Sequence, residues 1–128
     1  MPLVVDSSAL VSALLNDGPA RQALTGQVLH APHLLDTELT SALRGLVAGK
    51  VIEPEQGLHA LSAWTRLGVH RYAATGLLER TWELRSNLSA YDATYVALAE
   101  TLGCSLLTGD SRISRAPGVR CLVTVVPV

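Results

Sequence analysis

Four carboxylates stand where short apolar runs stop or helical patterns begin. Asp6 closes Leu3-Val4-Val5, and Asp110 follows Leu106-Leu107-Thr108-Gly109 directly. Glu38 and Asp92 fall in the first turns of two helical segments, each beside strongly apolar sequence. One acid at a helix start complements the positive end of the helix and needs no further purpose. Asp6 is harder to explain that way, because it ends a strand that should be buried on both faces, where an unpartnered carboxylate is expensive. If all four converge, two unit charges 4 Å apart repel by about 4 kcal/mol at an effective dielectric of 20. The chain has a single lysine, Lys50, to set against them. A divalent cation would neutralise such a cluster, and all-oxygen donors select a hard ion, Mg²⁺ or Mn²⁺. That arrangement suits phosphodiester hydrolysis, since the ion acidifies water, polarises the phosphoryl oxygen and stabilises the departing one. Mutual repulsion also predicts that Asp110→Asn stabilises the metal-free fold, by about 1 kcal/mol.

The elements that must position these acids alternate between strand and helix. Apolar β-branched runs at Leu3–Val5, Val28–Ala31, Val69–Tyr72, Ser105–Thr108 and Leu122–Val126 read as five strands. Between them lie helical segments: Ala9–Leu15, a short one from about Ala20, Asp36 onward with Gly49 as C-cap, and Pro54 to about Leu67. Leu58, Leu61 and Trp64 are expected to face inward on the last of these. A further helix capped by Thr75 carries Leu77, Leu78, Thr81 and Trp82, and another capped by Ser89 ends at Gly103. Strands separated by helices imply parallel pairing and right-handed crossovers. The expected fold is therefore α/β, a three-layer α/β/α sandwich around a mostly parallel five-stranded sheet, formed as one domain over residues 1–128. In such sheets ligands bind beyond the carboxyl ends of the strands, at the point where strand order reverses.

Composition narrows the function classes. Hydrophobic residues make up 48% and charged residues 16%, which excludes a disordered solvating chain. There is no Phe, and two Trp and three Tyr are too few for an aromatic surface that stacks single-stranded nucleic acid. The net charge of −1 gives no global basic field. Cys104 and Cys121 lack metal-ligand spacing and are expected to be buried free thiols in a reducing compartment. No apolar run is long enough to span a bilayer, and no leader-like segment precedes Asp6, so a soluble, cytoplasmic protein is expected.

Four stretches together resemble the motifs of PIN-domain ribonucleases, and more narrowly the VapC toxins of type II toxin–antitoxin pairs. They are Val4-Val5-Asp6-Ser7-Ser8-Ala9-Leu10; Pro32-His33-Leu34 with Glu38-Leu39 and Ala42-Leu43-Arg44; Tyr91-Asp92-Ala93-Thr94-Tyr95-Val96-Ala97-Leu98-Ala99-Glu100; and Leu107-Thr108-Gly109-Asp110-Ser111-Arg112. The likeness runs along essentially the whole chain. It implies that Asp6, Glu38, Asp92 and Asp110 form the acidic Mg²⁺ site (Mn²⁺ as the alternative ion) of an endoribonuclease. It also implies homodimerisation and neutralisation by a cognate VapB-type antitoxin. Thr108 matches a position where relatives carry Ser or Thr, a hydroxyl placed beside the ligands. Ser41 stands where many relatives have Asn and receives no role. Setting aside the four ligands leaves seven acids against ten bases, a balance compatible with RNA binding. Arg44 and Arg112 are the candidates for phosphate contacts.

Other patterns lead nowhere. His30 and His33 flank a strand end without a third metal ligand. Asp17 belongs to a turn; Asp36 is a helix cap and the fallback ligand should Glu38 face away. Gly45 to Lys50 is one residue short of a P-loop, and Val51 replaces its Ser/Thr. No nucleophile elbow or Cys/His pair supports covalent hydrolysis. A receiver-like phospho-acceptor needs a second acid beside the first and a late lysine; a haloacid-dehalogenase-like phosphatase needs Asp-x-Asp. Asp6-Ser7-Ser8 and the position of Lys50 fail both. The remaining rival is a non-catalytic module of the same family that binds RNA or protein, and the presence of all four acids disfavours it.

Overall fold

The computed structural model describes residues 1–128. Five strands form one sheet: β1 Pro2–Val5, β2 Val28–Pro32, β3 His70–Tyr72, β4 Ser105–Thr108 and β5 Val123–Val125. Seven helices connect them: α1 Ser7–Leu15, α2 Pro19–Leu24, α3 Leu34–Ala48, α4 Pro54–Arg66, α5 Leu78–Glu83, α6 Ala90–Leu102 and α7 Ser111–Arg115. The strand order is β3-β2-β1-β4-β5 and every neighbouring pair is parallel, as the alternating pattern predicts. Strand order reverses at β1, and right-handed crossovers then send α1–α4 to one face and α5–α7 to the other. In agreement, α1, α3 and α4 pack on one another while α6 lies across β1, β2 and β4 with α5 beside it.

The core lies where the central strands meet these layers. Val4, Val5, Leu106 and Leu107 are fully buried, as are Leu35 and Leu39 from α3 and Val96 to Ala99 from α6. The register sets Val5 against Leu107, so Asp6 and Thr108 emerge side by side at the carboxyl edge. Turn chemistry sharpens the helix ends. Pro54 opens α4 where its missing N–H costs nothing, and the Gln56 side chain accepts the Glu53 N–H at 2.8 Å. Gly103 closes α6 in the left-handed conformation at φ 64°.

Several expectations are corrected. Gly49 does cap α3, as expected, but at φ −81°; the left-handed residue is Lys50 at φ 57°, one position later. Thr75 caps nothing: it opens a short 3₁₀ turn, Thr75–Leu77, that feeds α5. The inward face of α4 is Gly57, Ala60 and Trp64, which leaves Leu58 66% exposed. Trp82 is 68% exposed, while Leu77 and Leu84, which flank α5, are buried. Glu38 sits one turn deeper than expected, since α3 already starts at Leu34. Cys104 and Cys121 are unpaired and half-buried, not fully buried. No helix is long and apolar enough to cross a membrane.

Candidate active site

Beyond the carboxyl ends of β1 and β4, where the strand order reverses, lies a pocket of about 800 Å³ whose wall includes Asp6, Glu38, Asp92 and Asp110. No Lys or Arg belongs to that wall. The four acids come from four places in the chain: the start of α1, the second turn of α3, the start of α6 and the start of α7.

Asp6 is the most enclosed, at 5% exposure. Its Oδ1 accepts the Ala9 N–H at 3.0 Å, which makes it the N-cap of α1, and the Ser8 hydroxyl at 2.7 Å. Its Oδ2 accepts the fully buried Thr108 hydroxyl. Burial raises the Asp6 pKa despite these three donors, and the Asp110 charge adds to the rise. The same hydroxyls stitch β1 to the segment after β4. Thr108 Oγ1 accepts the Asp110 N–H at 3.0 Å, and Ser8 Oγ accepts the Gly109 N–H at 2.8 Å. A side chain on Gly109 would meet the Val128 side chain at 2.5 Å and Ser8 at 3.2 Å, so a larger residue there makes one of these side chains shift.

Glu38 projects from α3 on the face that also brings Ala42 and Leu46 to the pocket. Its carboxylate accepts the hydroxyl of Tyr95, itself 2% exposed. Burial raises the Glu38 pKa, with Asp92 and Asp6 contributing and the Tyr95 hydrogen bond opposing. Asp92 lies in the first turn of α6, where Ser89 Oγ accepts its N–H at 3.1 Å. Burial again raises its pKa, against a lowering contribution from Ser89, and the Asp110 and Asp6 charges reinforce the rise. Tyr95 is pushed far above the usual phenol range by burial and by the adjoining carboxylates, so its oxygen stays protonated and donates.

Asp110 behaves differently. It caps α7 through the Arg112 N–H at 2.9 Å, and the Arg112 guanidinium binds it with contacts of 2.7 to 3.2 Å. Those bonds lower its pKa. Asp110→Asn therefore removes a charge that Arg112 stabilises and that also adds to the raised pKa of Asp6 and Asp92.

Arg112 lies over the rim of the pocket with its side chain 81% exposed. Arg44 is also exposed but stands on a different groove, between α3 and α4, with Leu43, Val47 and Leu58. It is not brought to the acids. Asp36, the fallback ligand, is turned away by the helical rotation that aims Glu38 inward, and it binds Arg71 and the Trp64 indole N–H instead. His30 meets the Tyr72 hydroxyl at 2.8 Å and stacks on His70, away from the acids.

Ser8 and Tyr95 are the site residues that sequence reasoning missed. Ser8 reads as a helix-start residue, although its spacing of two from Asp6 permits a hydroxyl–carboxylate bond. Tyr95 reads as core, although its spacing of three from Asp92 puts both on one helix face.

The donor set is all-oxygen and anionic, with the carboxylates of Asp6 and Glu38 held by neutral donors, and that chemistry fits a hard divalent cation. The side chains do not form a closed cage, since no three of them are spaced to grip an ion as they stand. Mg²⁺ tolerates such a site because it keeps several of its waters.

Comparison with known proteins agrees with this architecture. The PIN domain family model matches residues 3–119. The chain is 53% identical over 125 residues to ribonuclease VapC9 of Mycobacterium tuberculosis, covering 98% of each chain. Among solved structures it is similar to VapBC2 of Rickettsia felis bound to a promoter DNA fragment, with a TM-score of 0.70, 16% identity and coverage of 98% and 99% of the two chains. It is also similar to M. tuberculosis VapC20, described as a sarcin–ricin-loop-cleaving toxin, with a TM-score of 0.67, 20% identity and coverage of 92% and 96%. At those identities the structural likeness speaks for the fold alone.

Proposed function

The chain belongs to the PIN-domain family and, within it, to the VapC ribonucleases, and from that premise we propose that it is a Mg²⁺-dependent endoribonuclease toxin whose ligands are Asp6, Glu38, Asp92 and Asp110. The observation that carries the reading is the convergence of these four acids on one pocket without a lysine or arginine in its wall. A divalent cation bound there, Mg²⁺ or Mn²⁺, would supply charge neutralisation and activate water toward the phosphodiester.

The chain's own residues supply position and charge. The Thr108 and Ser8 hydroxyls and the Ala9 N–H fix both oxygens of Asp6. Tyr95 fixes Glu38, and the Ser89 cap fixes the start of α6 that presents Asp92. Rigid α/β elements thus hold the ligands from three directions, which lowers the reorganisation needed when charge develops at phosphorus. Arg112, exposed at the rim, is placed to meet a phosphate of the RNA backbone. Arg44 would reach RNA only outside the pocket.

The same reading assigns a VapB-type antitoxin as the neutralising partner and a second copy of the chain as the dimer mate, both in the cytoplasm. Exposed apolar side chains support protein partners: Val51 at the pocket wall is 69% exposed, and Leu58 lines the adjoining α3–α4 groove. The test of function is Asp92→Asn, which keeps the Ser89 cap and the shape of the side chain while removing a ligand charge. Cleavage of RNA should fall by about 100-fold or more with the fold intact. Undiminished cleavage by the folded variant would remove Asp92 from the ligand set.

A further inference from the structure

We propose that the Tyr95 hydroxyl is the positioning group that holds Glu38 in the pocket as a cation ligand, an inference that rests on the ligand assignment above. Tyr95 comes from α6 and Glu38 from α3, which lie on opposite faces of the sheet. Their hydrogen bond therefore spans the two helical layers above the carboxyl edge. It is also the only hydrogen bond that Glu38 makes through its side chain. Asp6, by contrast, has three donors and a short side chain.

A glutamate reaching out of a helix on three rotatable bonds loses its orientation without such a tie, since its rotamer entropy is among the largest of any side chain. The tyrosine ring is buried and cannot follow it, so the hydroxyl sets where the carboxylate rests. The donor is also neutral. An arginine or lysine at this place would orient Glu38 equally well but would satisfy its charge, and so compete with a cation. Asp36, Glu83 and Glu100, which carry arginine partners, lie outside the pocket, and of the pocket acids only Asp110, beside the exposed Arg112, has one. Asp92 and Tyr95 sit three residues apart on the same turn of α6, so this helix supplies one ligand and the holder of another.

The test is a double-mutant cycle read by calorimetric titration of Mn²⁺ into metal-free protein, using wild type, Tyr95→Phe, Glu38→Gln and the double variant. Melting curves in EDTA confirm that each is folded. Tyr95→Phe should weaken Mn²⁺ binding about 10-fold, the scale on which a group that orients a metal ligand acts. Glu38→Gln should weaken it further, and Tyr95→Phe should then have no additional effect. Equal weakening by Tyr95→Phe in both backgrounds would make the hydroxyl a structural group and overturn the proposal. So would a Tyr95→Phe protein that binds Mn²⁺ like wild type, or one that no longer melts cooperatively in EDTA. Unchanged binding in Tyr95→Phe beside weakened binding in Glu38→Gln would leave the ligand assignment standing. Unchanged binding in Glu38→Gln would remove that assignment and the tie's purpose together.

Discussion

Asp36 and Glu38 are two residues apart on α3 and lead opposite lives. Asp36 turns toward α4 and β3, where Arg71 grips both its oxygens at 2.8 and 2.9 Å and Trp64 donates its indole N–H. The Arg71 hydrogen bond holds its pKa down. Glu38 turns toward the pocket, where its one donor is an uncharged phenol and burial drives its pKa up. The contrast extends to the rest of the chain. At Glu100 burial pushes the pKa up, but the guanidinium of Arg80 and the N–H of Arg120 outweigh it and the result is a lowered value. A carboxylate that serves the fold is given its counter-charge by the fold. Asp6 and Glu38, in the pocket, are given only hydroxyls and one amide, which orient an anion without neutralising it.

Substituting each member of the α3 pair should separate the two roles most sharply in catalysis. Glu38→Gln is expected to reduce RNA cleavage by about 100-fold or more. Asp36→Ala should leave the rate per folded molecule within about two-fold, since it touches neither pocket nor rim. Comparable losses in both, measured as initial rates on one RNA, would erase the distinction.

Stability should sort them the other way. Asp36→Ala leaves the buried Trp64 N–H without its acceptor and breaks a half-exposed ion pair, and should cost about 1–2 kcal/mol in denaturant melts. Glu38→Gln removes a charge that the metal-free pocket holds at a disadvantage, and should be neutral or stabilising by up to about 1 kcal/mol in EDTA. A destabilised Glu38→Gln protein in EDTA would mean that the fold relies on that charge.

The pH dependence has a definite sign. Raised pKa values at Asp6, Glu38 and Asp92 mean that the folded state binds protons more tightly than the unfolded chain. That contribution is present at low pH and is lost as pH rises through the folded values. In EDTA, wild type and Glu38→Gln should therefore melt alike near the ordinary glutamate pKa of 4.5 and diverge as pH rises above it, the variant becoming the more stable. Glu100→Gln should behave in reverse. The lowered pKa of Glu100 contributes stability above its ordinary value that is lost as pH falls through the folded one, so the gap below wild type should close in acid. Parallel curves for both variants would show that the two classes of carboxylate do not differ.

How far the two regions could be told apart from residue order depends on the kind of contact. Asp6 and Asp110 were legible, because parallel strands must end on one edge and the reversal of strand order brings two of those ends together. Asp92 was legible from its place after Ser89. That Glu38 and not Asp36 faces the pocket depends on where α3 begins, and its start at Leu34 lies two residues before the helical period becomes visible. The Arg112 clasp on Asp110 was hidden too, since two residues of spacing at a helix start permits the contact without requiring it. Leu58 misled for another reason: apolar spacing records which residues share a face, not whether that face is covered by this chain. Tyr95 was read as core and is core, except for the one oxygen that matters to the site.

A smaller effect tests the seam between β1 and β4. Gly109→Ala pushes a methyl group into the Val128 side chain and against Ser8, so the Ser8–Asp6 bond or the Val128 side chain must give. Because the atoms met first are the far end of the Val128 side chain, the expected cost is about 1 kcal/mol in a melt, with cleavage lowered several-fold. Full activity would show that the Val128 side chain yields and the Asp6 cradle does not.

The central claim is that the pocket acids share a cation that the fold does not itself supply. Thermal melts in EDTA and across a Mg²⁺ titration, for wild type, Asp92→Asn and Asp36→Ala, test it most directly. Wild type and Asp36→Ala should each gain about 2.7 kcal/mol at a Mg²⁺ concentration 100 times Kd, and Asp92→Asn much less at the same concentration. Equal stabilisation of Asp92→Asn and wild type, or no stabilisation of any of the three, would contradict it.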